Sequence, residues 1–147
     1  MNKIVLLACI GLFLTACASK YNSIDQHNEK LDLTHSVEEA ENYWVLSKRI
    51  SPKYPVQAAK QHIAGCSRFK ISINSEGETT DAELIESYPN NAFIGPSQEV
   101  INKWAWQPTP QNSERKPITR MIQMDFYMPQ AVNYDKAKAH CAVGAGF

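Results

Sequence analysis

Apolar and polar side chains alternate along two stretches of the chain, which is the pattern of β-strands with one buried face. These stretches are residues 66–74 and residues 118–128. Between them, residues 79–87 alternate more weakly and follow a turn in which Gly77 stands where a positive φ is wanted. The pattern therefore predicts a β-hairpin followed, later in the chain, by a third and longer strand.

Apolar residues that recur every three or four positions predict short helices around these strands. The predicted helices span residues 36–49, 55–64, 97–105 and, weakly, 131–141. Ser36 and Glu39 form a capping box at the start of the first helix, and Trp44 is expected to pack in the core. Gly65 is expected to end the second helix in the left-handed conformation, and Ser97 to cap the third.

The order of these elements predicts an α+β fold. We expect a small two-layer domain in which a three-stranded antiparallel sheet has helices packed on one face. Residues 36–49 form the N-terminal helix in this scheme, residues 50–128 the domain, and residues 129–147 a C-terminal extension.

The first residues of the chain have the pattern of a bacterial lipoprotein signal. A short apolar run follows Lys3 and closes on Leu14-Thr15-Ala16-Cys17. A plain membrane helix is the alternative, but a bilayer span needs about 20 apolar residues, and this run is shorter. The resemblance implies removal of residues 1–16 and a lipidated tether over residues 17–35.

By the same resemblance, Cys17 is acylated, and its acyl chains hold the protein at the membrane. Two or more acyl chains make such an anchor effectively permanent. Ala18 and Ser19 follow Cys17. An aspartate directly after the cysteine would resemble the signal that retains a lipoprotein in the inner membrane, and this chain has none at that position. We therefore expect the periplasmic face of the outer membrane rather than the inner membrane. Apart from this covalent lipid, the sequence indicates no cofactor.

The charge of the chain argues against nucleic acid as a partner. Its formal net charge at pH 7 is +0, and no basic run of the kind that follows a phosphate backbone is present.

Two cysteines remain after Cys9 leaves with the signal and Cys17 is lipidated. Cys66 and Cys141 are expected to form a disulfide in the oxidising periplasm, worth about 4 kcal/mol by loop entropy. A zinc or copper site with His62 and His140 is the alternative, and it is disfavoured because disulfide formation consumes both sulfurs.

Several motifs together resemble the TonB C-terminal domain family over residues 50–128. They are Tyr54-Pro55, Ala58-Ala59, Gly65, the strand and turn from Phe69 to Gly77, Leu84-Ile-Glu-Ser, Trp104-Ala-Trp106-Gln-Pro108 and Ile122-Gln-Met-Asp-Phe126. Each motif is weak alone, but their order and spacing form a specific set.

The resemblance implies a periplasmic domain that recognises an extended peptide of an envelope protein or TonB-dependent transporter by adding it to the sheet as a strand. The strand over residues 118–128 is the candidate edge, and a blunted edge without a partner is the alternative. The expected partner-binding residues are Tyr54, Pro55, Trp106, Ile118, Arg120, Ile122, Met124 and Phe126. Tyr54 and Trp106 are expected to be partly exposed, whereas Trp104 is expected to pack in the core.

The lipid anchor changes what the resemblance implies for function. What the resemblance implies for a full-length TonB protein is an inner-membrane helix and a long proline-rich arm ahead of this domain. The sequence shows neither segment, so we expect binding without force transduction. A structural envelope lipoprotein that binds peptidoglycan or self-associates as a homodimer is the alternative function. We expect no enzyme and no catalytic residues, because the chain has no nucleophile elbow, zinc-protease helix or phosphate loop.

Overall fold

The structure, a computed structural model, describes residues 29–143. In chain order its elements are β1 (Leu31–Asp32), α1 (Val37–Glu41), β2 (Trp44–Lys48), α2 (Val56–Lys60), β3 (Gly65–Ile73), β4 (Thr79–Tyr88), α3 (Ile94–Ile101), β5 (Ala105–Pro108), β6 (Ile118–Phe126) and α4 (Tyr134–Val143). The signal segment, Cys17 and the tether up to residue 28 lie outside the described residues. None of the described helices is long and apolar enough to cross a membrane.

The main sheet has four strands in the order β1, β6, β3, β4. The central strand β3 pairs antiparallel with β4 and with β6, and Gly77 turns the β3–β4 hairpin with φ 83°. The predicted α+β class and hairpin are confirmed. The predicted strand count is wrong because β1, taken as tether, pairs parallel with the start of β6 and buries Leu33 beside it.

A second sheet forms where the sequence pattern predicted helices. β2 and β5 pair antiparallel, with Leu46 opposite Trp106. The predicted helix over residues 36–49 therefore ends at Glu41, although its Ser36 cap is present and accepts the Glu39 N–H at 3.1 Å. The helix predicted over residues 97–105 likewise ends early, at Ile101, and Ala105 begins β5. In both places strand pairing overrides the weak local preference of a short segment.

The main core lies on one face of the four-stranded sheet, here called the inner face. Its buried apolar residues from β3 and β6 are Phe69, Ile71, Ile73, Ile118, Ile122, Met124 and Phe126. Ala58 of α2, Ile101 of α3 and Trp104 pack into the same cluster. Trp44 is fully buried in it as well, so its predicted core position is correct although its secondary structure is not.

Helix α4 lies on the opposite, outer face of the sheet. The predicted disulfide is present and joins Cys66 of β3 to Cys141 of α4. Because Cys66 and Phe69 are an odd number of residues apart on a regular strand, their side chains point to opposite faces. The Asn133 side chain holds the segment before α4 by bonding both the N–H and the C=O of Ala64, at 2.8 and 2.9 Å. Helices thus cover both faces, not one as expected.

Gly65 is needed for close packing rather than for a helix end. It begins β3, and a Cβ there would lie 1.9 Å from the carbonyl oxygen of Tyr88 and 2.5 Å from the Phe93 ring. The left-handed residue after α2 is His62, with φ 51°. Ser97, expected as a cap, lies inside α3 and shares a 2.6 Å hydrogen bond with Ser67.

Candidate functional site

The edge of β6 that points away from β3 is only partly covered by another strand. β1 pairs with its first two residues, and the carbonyl of Thr119 accepts the Leu33 N–H at 2.8 Å. Backbone groups of successive strand residues point to opposite edges, so every second residue after Thr119 shares its outward direction. These residues are Met121, Gln123 and Asp125. Within residues 29–143 the structure gives their outward N–H and C=O groups no backbone partner.

A groove of about 400 Å³ lies between this open edge and β2. Residues 120–123 and Asp125 of β6 line one side, and α1, β2, Trp104 and Trp106 line the other. The carbonyl of Trp44 points away from β5 toward β6, where it accepts from Arg120 at 3.4 Å. Residues of β2 and the open part of β6 therefore line one groove, which is large enough for part of an extended chain.

Arg120 is the unusual residue of this groove, because it is a cation in an inward-facing row of apolar side chains. Its side chain is only 7% exposed. The guanidinium lies 5.1 Å from the centroid of the Trp106 ring. Burial lowers the pKa of Arg120 from its ordinary value, and the nearby charge of Glu41 opposes that shift. The guanidinium remains charged at any physiological pH.

The other edge of the main sheet is β4, and it is less suited to pairing. Irregular register interrupts β4 in two places, at Ile85 and at Thr80, and its side chains include Asp81 and Glu83. Bulges and charges of this kind protect a sheet edge against a further strand. The open part of β6 is therefore the better candidate for a partner strand.

The structure brings only some of the predicted partner-binding residues together. Trp106, Arg120 and Ile122 line the groove. Ile118, Met124 and Phe126, by contrast, have their side chains in the core, because they belong to the inward row of β6. A partner strand would meet β6 through the backbone groups of the alternate residues.

Tyr54 and Pro55 lie away from the groove. The Tyr54 hydroxyl donates to the carbonyl oxygen of Ile63 at 2.7 Å, and its ring packs edge-on against Phe93 and Phe126. Burial raises the pKa of the Tyr54 hydroxyl. Pro55 is the residue that precedes α2. Both residues have a packing role that accounts for their position.

Trp106 is not partly exposed, as the sequence suggested, but is as buried as Trp104, at 6% exposure. Its indole N–H donates to the hydroxyl of Thr79 at 3.0 Å. The polar end that suggested exposure is satisfied inside the protein, and the ring forms part of the groove wall.

Sequence reasoning missed the wall opposite β6 and the outward row of β6 itself. Val45 is 43% exposed in β2, and Val37 and Glu41 of α1 stand beside it. The signal in the sequence was the alternation over residues 118–128. The residues of this strand that face away from the core include 121, 123 and 125. Their backbone groups point to the open edge, but this follows only once β1 is known to pair at Thr119.

The disulfide removes the thiolates that a metal site would need. The described residues contain a group, Cys66, Asp125 and Cys141, whose potential ligand atoms lie within 4.8 Å of one another, but both sulfurs are bonded to each other. His140 instead contacts Glu86 at 2.5 Å and stacks on Tyr88.

Comparisons with known proteins agree with this architecture. The family model described as the Gram-negative bacterial TonB protein C-terminal matches residues 50–128. The solution structure of the Pseudomonas aeruginosa TonB C-terminal domain is 20% identical, with a TM-score of 0.53, and the match covers 67% of this chain and 93% of that one. The TonB2 protein from Vibrio anguillarum is 15% identical, with a TM-score of 0.46 and coverage of 87% and 98%. No curated protein sequence matches the chain. Since the family model covers more than half of its length, this chain belongs to the TonB protein C-terminal family.

Proposed function

We propose that this protein binds an extended peptide of an envelope protein or transporter, which enters the groove and adds to β6 as a strand. The observation that carries the proposal is the open edge at Met121, Gln123 and Asp125, which faces the groove without a backbone partner among residues 29–143. Peptide recognition by strand addition needs such an edge, together with pockets that accept alternate side chains.

The edge supplies affinity and the groove wall supplies selectivity. Each outward residue has one N–H and one C=O, and a protein hydrogen bond contributes about 0.5–1.5 kcal/mol net. Trp104, Trp106 and Ile122 give the groove an apolar wall against which side chains of the peptide can pack. Aromatic groups in such walls often dominate the binding energy of an interface.

We also propose that Cys17 carries the lipid that anchors the domain at the periplasmic face of the outer membrane. The motif Leu14-Thr15-Ala16-Cys17 supports this proposal. A domain held by acyl chains has no protein connection through the membrane at its anchor, so we propose binding rather than force transduction.

The anchor can be tested by membrane fractionation. Cys17→Ala is expected to move the protein out of the outer-membrane fraction, because the acylated thiol is lost. Cys9→Ala is the matched control and is expected to leave the distribution unchanged, since Cys9 lies within the signal segment. Equal membrane association of the Cys17→Ala and unaltered proteins would rule out the lipid anchor.

The binding edge can be tested with a backbone change at Asp125. Asp125→Pro removes an outward N–H and places a ring on the open edge, where proline is tolerated by the sheet. We expect it to weaken binding of a synthetic TonB-box peptide about tenfold or more. Asp125→Ala removes the carboxylate but keeps the N–H, and it is expected to bind within about twofold of the unaltered protein. The dissociation constants are measured by fluorescence anisotropy.

A second measurement on the same complex uses N-methylated peptides. Methylation of alternate amides that face β6 is expected to abolish binding, whereas methylation shifted by one residue preserves it. Equal binding by both peptides would contradict strand addition. Sedimentation of the free protein shows whether the edge is instead occupied by a second copy, as the homodimer alternative requires.

A further inference from the structure

Arg120 has fewer partners than a buried guanidinium needs. Such a group carries five N–H donors and no acceptor. One terminal nitrogen donates to the Trp44 carbonyl at 3.4 Å, which is longer than an ordinary hydrogen bond. The other lies 4.0 Å from the carboxylate of Glu41, whose side chain is 62% exposed. The Nε atom is buried and has no hydrogen-bond partner within residues 29–143.

An incompletely paired buried cation is costly in the free protein. A charge removed from water is compensated only by close opposite charge and by hydrogen bonds to its remaining donors. The contacts of Arg120 with Trp44 and Glu41 are both long, and the Trp106 ring, whose centroid lies 5.1 Å from the guanidinium carbon, offers no oxygen acceptor to its N–H groups. Residues 29–143 therefore offer the guanidinium of Arg120 too few acceptors in the free protein.

The missing acceptor fits a carboxylate better than other groups. Nε and the terminal nitrogen that faces Glu41 lie along one edge of the guanidinium, and this edge can donate two parallel hydrogen bonds to one carboxylate. The groove is lined by two cations, Arg49 and Arg120, and by two anions, Glu41 and Asp125. Of these four, Arg120 is the buried one, and Glu41 is exposed enough to swing away.

We propose that the groove contains an acid-specific subsite, in which Arg120 binds an aspartate or glutamate side chain of the incoming peptide strand. This inference rests on the proposed function and adds the chemistry of one position of the ligand. The peptide carboxylate replaces Glu41 at the terminal nitrogen, and a small rotation of the guanidinium toward the groove brings Nε to the second carboxylate oxygen. The Trp106 ring remains the cation–π partner of the guanidinium.

The test begins with selection of peptides by the full chain from a displayed library of random 12-residue peptides. The selected peptides are expected to carry Asp or Glu at one fixed position. In synthetic pairs, changing that Glu to Gln is expected to weaken binding about tenfold or more, because the charged, bidentate pair is lost. This comparison uses the unaltered protein and so does not depend on the folding of any variant.

A variant then assigns the effect to Arg120. Arg120→Met is expected to bind the Glu and Gln peptides equally, within about twofold, with a melting temperature equal to or above that of the unaltered protein. A purely structural role predicts a lower melting temperature instead. Lys103→Gln makes the same change in charge at an exposed site between α3 and β5 and is expected to keep the full preference for Glu.

The Nε–H resonance of Arg120 gives a direct readout. It is expected to shift downfield in the NMR spectrum on binding of the Glu peptide and to move little with the Gln peptide. Peptides that bind with no preference for an acid, together with unchanged binding by Arg120→Met, would overturn the subsite and leave strand addition standing. If the library yields no binding peptide at all, both proposals fall.

Discussion

Replacing Cys141 with serine is expected to lower the free energy of unfolding by about 4 kcal/mol. The disulfide links residues 75 positions apart, and a cross-link of that span greatly restricts the unfolded chain. It also holds α4 on the outer face, where Gln123 donates to the carbonyl oxygen of Cys141 at 3.0 Å. Urea unfolding followed by circular dichroism measures the loss.

The same loss is expected for Cys66→Ser, for the double variant and for the unaltered protein under reducing conditions. The effects do not add, because each change removes the same cross-link. A native protein whose stability changes by less than about 1 kcal/mol on reduction would contradict a stabilising disulfide.

Trp44→Ala is expected to lower the free energy of unfolding by about 4 kcal/mol, the usual cost of truncating a fully buried aromatic side chain. Trp44 is fully buried, and its indole N–H donates to the carbonyl oxygen of Lys116 at 2.8 Å, which joins β2 to the segment before β6. Because Trp44 also lines the groove, we expect peptide binding to be lost with it. Stability is measured by urea unfolding and binding by anisotropy.

Trp44→Phe is the matched control. It keeps most of the ring volume and loses the hydrogen bond to Lys116, so we expect a smaller loss of about 1–2 kcal/mol and retained, weaker peptide binding. Equal destabilisation by alanine and phenylalanine would show that the hydrogen bond, rather than the filled volume, holds β2 in place.

The elements predicted well are those whose local pattern agrees with their tertiary environment. β3 and β6 alternate along their length because one row of each faces the core, and Gly77 marks the hairpin because only a residue tolerant of positive φ fits there. The disulfide was predictable from the number of cysteines and from the expected periplasmic location, since Cys9 falls in the expected signal segment and Cys17 at the expected lipid anchor.

The elements predicted wrongly are short and are stabilised by distant partners. Trp44 to Lys48 carries apolar residues at spacings compatible with a helix, yet it pairs with β5, about 60 residues later. Leu31 and Asp32 are too few to show a period, and their strand exists only because β6 offers an edge. Weak local preferences of this kind are overridden by pairing and burial.

Periodicity and turn residues were enough to predict the α+β class, the hairpin and the long last strand, because they reflect which side chains are buried. The resemblance to the TonB C-terminal family came from the order and spacing of the motifs. Three features could be seen only once the chain is folded: the position of the groove, the open row of β6, and the incomplete pairing of the buried Arg120 among residues 29–143. The physical reason is that alternation shows which face of a strand is buried but not which strand lies beside it. Whether an edge is open depends on backbone N–H and C=O groups, and these are the same in almost every residue.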